Sequence, residues 1–168
     1  HLAAVAQIKG HLLPALSKLR DALDVKAKAF DGVIKTGRTH LMDATPLTLG
    51  QEFSAYVAQL DYAIKHIEHS IDYLLELTIG GTAVGTGLNT KIGFSEKVCE
   101  TLASLTGYAF RSGANKFALQ AGKEGYAVAH SGMRTLAVAL TKIANDIRLL
   151  GSGPRCGIGE VLLPANEP

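Results

Sequence analysis

Tryptophan is absent from this sequence, and aromatic residues make up only 6% of its 168 positions. That excludes a base-stacking platform for single-stranded nucleic acid. Cysteine is scarce as well. Cys99 and Cys156 are the two present, and neither sits in a CxxC or Cys/His pattern, so no metal site is indicated. Two reduced thiols in a reducing compartment are expected. Charge of one sign is also missing. The formal net charge is +2, with Lys and Arg spread among Asp and Glu, which gives no reason to expect nucleic acid or a membrane as partner. No apolar run approaches the roughly 20 residues that cross a bilayer. The start carries no signal-peptide pattern. It lacks Met and reads as helix interior, so it is expected to be a cut inside a longer protein. Neither an internal repeat nor β alternation is visible.

What is present is a chain with 47% apolar and 19% charged residues, enough for one domain with a sizeable core. Residues 2–9 read as the end of a helix that Gly10 interrupts. A second helix is expected from Leu13–Pro14, where proline at the first helical position costs no hydrogen bond, to about Phe30. From Leu47 to about Leu77 the apolar residues Leu49, Phe53, Tyr56, Val57, Leu60, Ile64, Ile67, Ile71, Leu74 and Leu75 form one helical stripe. A helix of about 30 residues spans roughly 45 Å, which points to a long bundle. A short helix is expected from about Ser95 to Leu105. A last long one follows from about Lys116 to Leu150, weakened in its first half by Gly122, Gly125 and Gly132. The expected class is all-α, a long-helix bundle whose stripes need partners from further chain or other subunits.

The polar segments between these helices carry the candidate chemistry. Residues 35–46 have no apolar period and read as a loop rich in Lys35, Thr36, Arg38, Thr39, His40, Asp43 and Thr45. In that loop Arg38-Thr39-His40 is the first candidate site. A histidine can hold or release a proton near neutrality, and an adjacent threonine hydroxyl can fix a carboxylate. The run Gly80–Asn89 fits neither the P-loop nor the dinucleotide pattern. Its glycines suit tight turns, while Thr82, Thr86 and Asn89 can present polar groups to a ligand. Arg155, in a second glycine-rich loop, could hold a carboxylate or pin a helix end. His66 and His69 are expected on a solvated helix face, and Tyr56, Tyr62 and Tyr73 in core or interface.

Four segments in order resemble one family: TGRTHLMDATPLTLGQEF from Thr36, GGTAVGTGLNT from Gly80, KIANDIRLLGSGPR ending at Arg155, and GEVLLPANEP from Gly159. This is the pattern of the fumarase/aspartase lyase superfamily, and it covers nearly the whole chain. His40 stands where aspartases usually have glutamine. It resembles class II fumarases there, as do the Asn115-Lys116-Phe117 and Asn166-Glu167-Pro168 triplets. The resemblance implies reversible hydration of fumarate to L-malate through an aci-carboxylate carbanion. It implies His40 as catalytic acid/base and Thr39 as a substrate contact. Gln51, Thr82, Asn89 and Arg155 are possible secondary contacts. No metal or organic cofactor is implied, since stabilising the dianionic intermediate electrostatically is the main task.

The resemblance also implies a homotetramer with active sites shared between subunits. The localisation implied is cytoplasmic, or mitochondrial in a eukaryote. Residues 1–168 would be part of a central five-helix bundle domain, of which this chain supplies three helices. The family's N-terminal and C-terminal domains, its SSNDxxPT segment and its GSSxMPxKxNP loop are absent, so the piece alone is expected to be inactive. One departure stands out: Lys123-Glu124 replaces a usual His-Asp pair. An aspartate ammonia-lyase of the same superfamily and a non-catalytic helical oligomerisation module are the alternatives.

Overall fold

The computed structural model describes residues 1–165. The Asn166-Glu167-Pro168 triplet lies outside them. The chain divides into two compact units. One is formed by His1–Leu19 and Tyr62–Met133, the other by Arg20–Asp61 and the segment from Arg134 onward. Helix dominates both, as the apolar periods predict.

Helix α1 (Leu2–Gln7) does not stop at Gly10. It continues through one π-helical turn, Ile8–Leu12, into α2 (Leu13–Ala29). Pro14 explains the wide turn. It has no N–H to offer the Gly10 carbonyl, and its ring would collide with that carbonyl in a regular α-helix. The turn closes instead with a bond from the Leu13 N–H to the Ile8 carbonyl, five residues back.

Helix α3 (Leu49–Leu75) follows the expected stripe. In the first unit Ala63, Ile67, Ile71 and Leu74 are at most 2% exposed, and Val5, Ile8 and Leu16 of the same unit are buried as well. In the second unit Phe53, Tyr56 and Leu60 are buried, with Phe30 edge-on to Phe53 at 5.4 Å. Tyr62 and Tyr73, expected in core or interface, are exposed in this chain, as are His66 and His69.

The rest of the first unit is short elements. Strands β3 (Glu76–Leu77) and β4 (Arg111–Ser112) pair in parallel. They flank α4 (Phe94–Thr106), and α5 (Lys116–Ala121) follows. A directed chain of hydrogen bonds ties these together. Ser95 Oγ donates to the Ile79 carbonyl at 2.6 Å, so Ser112 must donate to Ser95, and Lys116 Nζ donates to Ser112 at 2.7 Å.

The last expected helix is broken. Gly122 is extended, and α6 runs separately from Glu124 to Leu150. Gly132 does not simply weaken α6. A Cβ there would lie 3.2 Å from Ile67 Cα and 2.7 Å from Ser70 Oγ, so the missing side chain lets α6 approach α3 closely.

The clearest correction concerns residues 35–46. They form no irregular loop but an antiparallel hairpin of β1 (Ile34–Thr39) and β2 (Met42–Thr48). The register slips between Thr36 and Arg38, where β2 carries one extra residue. That slip and Pro46, tolerated because a two-stranded sheet is all edge, erase the period of two that would have revealed the strands.

A strained hairpin tip over a half-buried charge cluster

The hairpin belongs wholly to the second unit. Thr39 pairs with Met42, leaving His40 and Leu41 as a two-residue turn. Both have left-handed backbones, φ 52° and 63°. Tight hairpins require this, because the twist of primed turns matches that of the strands. Asn-Gly is the usual occupant. Non-glycine residues there cost about 1–2 kcal/mol each, and such strain concentrates at functional sites. The turn carries Thr39 and His40 out at an exposed tip.

Below the tip lies an open cleft of about 710 Å³. Its walls include Lys35, Arg38 and Thr39 from β1, His40 from the turn, Gln51 and Glu52 from α3, and Lys142 and Asp146 from α6. Gly37 is needed in the hairpin, because a Cβ there would collide with the Thr45 carbonyl across the bulge.

Charge in the cleft is internally matched. Lys35 Nζ lies 2.7 Å from Glu160 Oε2 and also pairs with Glu52, while Arg38 donates to Glu160 Oε1. Lys142 pairs with Asp146 at 2.5 Å and stacks over the Tyr56 ring at 4.8 Å. The buried Tyr56 hydroxyl donates to Glu52 at 3.3 Å. Burial, and then the charges of Glu52 and Asp146, push that hydroxyl's pKa up and keep it a donor. Burial alone would raise the Glu160 carboxyl. The hydrogen bond from Arg38 and the charges of Lys35 and Arg38 outweigh it and hold the group below the ordinary carboxylate range. The hydrogen bond to Glu160 likewise raises Arg38 further above its usual value.

Of the residues singled out from sequence, the cleft brings together Thr39, His40 and Gln51. Gln51 has a local duty as well. Its side chain accepts from the Thr48 N–H at 3.0 Å while Thr48 Oγ accepts from the Gln51 N–H at 3.0 Å, a reciprocal capping box that starts α3 at Leu49. Thr82 and Asn89 sit in the first unit, exposed and with left-handed backbones, in a loop clamped by Gln120 donating to the carbonyls of Thr82 and Ala83. Arg155 is exposed, just beyond the cis Gly153–Pro154 bond.

Sequence reasoning missed Glu52, Lys142, Asp146 and Glu160. The one available signal was spacing on helices: Glu52 and Tyr56 are four apart, as are Lys142 and Asp146. Nothing local marks Glu160, which meets Arg38 across 122 residues of chain. A larger cleft of about 1020 Å³ in the first unit, lined by Glu96, Cys99 and Lys116, is less suited to chemistry. Its lysine is committed to Ser112, and burial raises its thiol.

Comparison with known proteins places this geometry. Over all 168 residues the chain is 56% identical to the mitochondrial fumarate hydratase of Rhizopus oryzae and to the class II fumarate hydratase of Nitrosomonas europaea. It covers 34% and 36% of those two proteins, so it spans about a third of their length. Among solved structures, a class II fumarase from Schistosoma mansoni superposes with a TM-score of 0.96 at 41% identity, covering 99% of this chain and 38% of that one. The lyase family model matches residues 1–168 from end to end. With its helices, its hairpin and its cleft all inside that match, the chain belongs to the lyase family.

Proposed function

We propose that the whole protein carrying this chain is a class II fumarate hydratase, adding water reversibly across the double bond of fumarate to give L-malate. The observation that carries the reading is the turn at His40-Leu41. Two left-handed non-glycine residues set a histidine and its neighbouring threonine at an exposed tip. The choice of substrate is supported by the relatives, which are fumarate hydratases.

In this reading His40 moves a proton as general acid/base, and the Thr39 hydroxyl donates to a substrate carboxylate. Gln51, Thr82, Asn89 and Arg155 are secondary contacts. The charge balance beneath the tip bears on the rest of the site. Lys35, Arg38 and Lys142 are each paired with an acid, so among the described residues that line the cleft no Lys or Arg is left uncommitted for a dianion. Cations for the two carboxylates and the aci-carboxylate must come from elsewhere in the protein or from neighbouring subunits. Residues 1–168 are accordingly a partial central helical domain of a homotetramer with shared active sites, cytoplasmic or mitochondrial.

The test uses the full-length protein with fumarate, L-malate and L-aspartate. Malate dehydration and fumarate hydration are expected. His40→Asn should cut kcat by about 10²–10⁴-fold, the usual worth of a general acid/base, with the oligomer intact. Aspartate deamination without malate dehydration overturns the assignment. Clear fumarate hydration by the isolated 168-residue chain overturns the shared-site reading.

A further inference from the structure

Glu160 meets the hairpin from a fixed backbone. Its N–H donates to the Leu150 carbonyl at 2.9 Å, closing the end of α6. The intervening turn is tied by Ser152, whose hydroxyl donates to the Leu149 carbonyl at 2.6 Å and accepts from the Ile158 N–H at 3.0 Å. The Gly159 N–H reaches the Ser152 carbonyl at 2.7 Å. The carboxylate therefore starts from a helix end rather than a free loop. Both its oxygens face β1: Oε1 accepts a hydrogen bond from Arg38, while Oε2 lies 2.7 Å from Lys35 Nζ as an ion pair without a hydrogen bond. The side chain is 19% exposed, and Arg38 directly precedes Thr39 and His40.

We infer that Glu160 is a positioning residue, holding β1 against the end of α6 through Lys35 and Arg38 so that the strained tip presents Thr39 and His40 at a fixed place. The inference rests on the proposed hydration reaction. The physical need is plain. A two-stranded hairpin is marginal by itself, and this one carries two left-handed residues at its turn. Its strands are mostly exposed, so few apolar contacts secure it. A charge-assisted hydrogen bond from Arg38 next to the tip and an ion pair from Lys35 at the base of β1 supply the missing rigidity, and a site residue must stay within about 0.5 Å of its productive position.

The experiment compares wild type and Glu160→Gln in the full-length protein. The amide keeps the shape and can still accept from Arg38, but it removes the charge shared with Lys35. Three readouts are needed: kcat and KM for fumarate, hydrogen exchange of the amides of residues 34–48, and oligomer mass. The expected result is exchange at least about tenfold faster in the hairpin. With the oligomer intact, kcat should fall about 100-fold, the cost of roughly 1 Å of misplacement, and KM should move by less than about threefold. A merely structural role would lower thermal stability without this split. If the Gln variant does not assemble, Arg38→Lys keeps the charge while losing the planar fork, and the same pattern is expected of it in weaker form. Faster exchange with unchanged kcat overturns the positioning role, and unchanged exchange overturns the anchor. Wild-type protein inactive on fumarate overturns the functional reading and the positioning role with it, whereas the exchange data still report on the anchor.

Discussion

Replacing Lys35 by methionine removes the ammonium from between Glu52 and Glu160 while keeping an unbranched apolar stem. The ammonium side chain is 9% exposed, and the two carboxylate side chains are 21% and 19% exposed. Taking one partner from a buried ion pair costs about 3–5 kcal/mol, because the other charge stays behind without compensation. Here each carboxylate keeps a second partner, Glu160 the guanidinium of Arg38 and Glu52 the hydroxyl of Tyr56. The low end, about 3 kcal/mol, is therefore expected. Hydrogen exchange of β1 amides in the full-length protein reads this directly as an opening free energy. At 1.4 kcal/mol per factor of ten, the amides of residues 34–39 should exchange roughly 150-fold faster. Adding Glu52→Leu removes one stranded charge and should recover about 1–2 kcal/mol. Exchange in Lys35→Met within about threefold of wild type would refute the reasoning, and so would a double variant worse than the sum of the singles.

The same cluster predicts an acid response. The folded Glu160 pKa is depressed, so its contribution is complete above the ordinary glutamate value of 4.5 and is lost as pH falls through the lower folded value. Thermal unfolding of the full-length protein between pH 7 and pH 3 should weaken below about pH 4.5, and Glu160→Gln should flatten that limb. Gly132→Ala should destabilise by about 1 kcal/mol in a urea titration. Helix propensity gains about 1 kcal/mol, but overpacking against the hydrogen-bonded Ser70 costs about 1–3 kcal/mol, and adding Ser70→Ala should relieve part of the loss. Cys99 is 2% exposed with its thiol pKa raised by burial, so maleimide should label it only after denaturation, as mass spectrometry of the labelled peptides would show.

Much of the helical fold was legible in sequence, because a helix writes its buried face into the chain every three or four residues. The α3 stripe illustrates this, with its observed bounds two residues inside the expected ones at each end. The capping box that starts it, Thr48 with Gln51, is also a local pattern. Where two local rules met, the outcome was harder to read. Gly10 suggested a stop, yet the demands of Pro14 are met by a single wide turn.

The candidate site divides in the same way. Its chemistry was visible locally, since Arg38, Thr39 and His40 are neighbours in sequence and type alone suggests what they can do. Their conformation was not. A bulge and a proline hid two strands whose polar faces carry no period, and the left-handed turn at His40-Leu41 has none of the glycine or asparagine that would announce it. The charge cluster lay further still beyond sequence. Glu160 and Lys35 are charges of opposite sign far apart in the chain, and only folding decides which charges share a low-dielectric space.

The sequence by itself determined the helical class, the stripe that buries α3, and the residues able to exchange a proton or hold a carboxylate. Such properties depend on residues within a turn or two of each other. The tertiary structure alone decided that residues 34–48 form a hairpin with His40 at its tip, and that Glu160 fastens that hairpin to the end of α6. Ion pairs and strained turns persist only where distant segments hold them, so they belong to the fold rather than to any stretch of the chain.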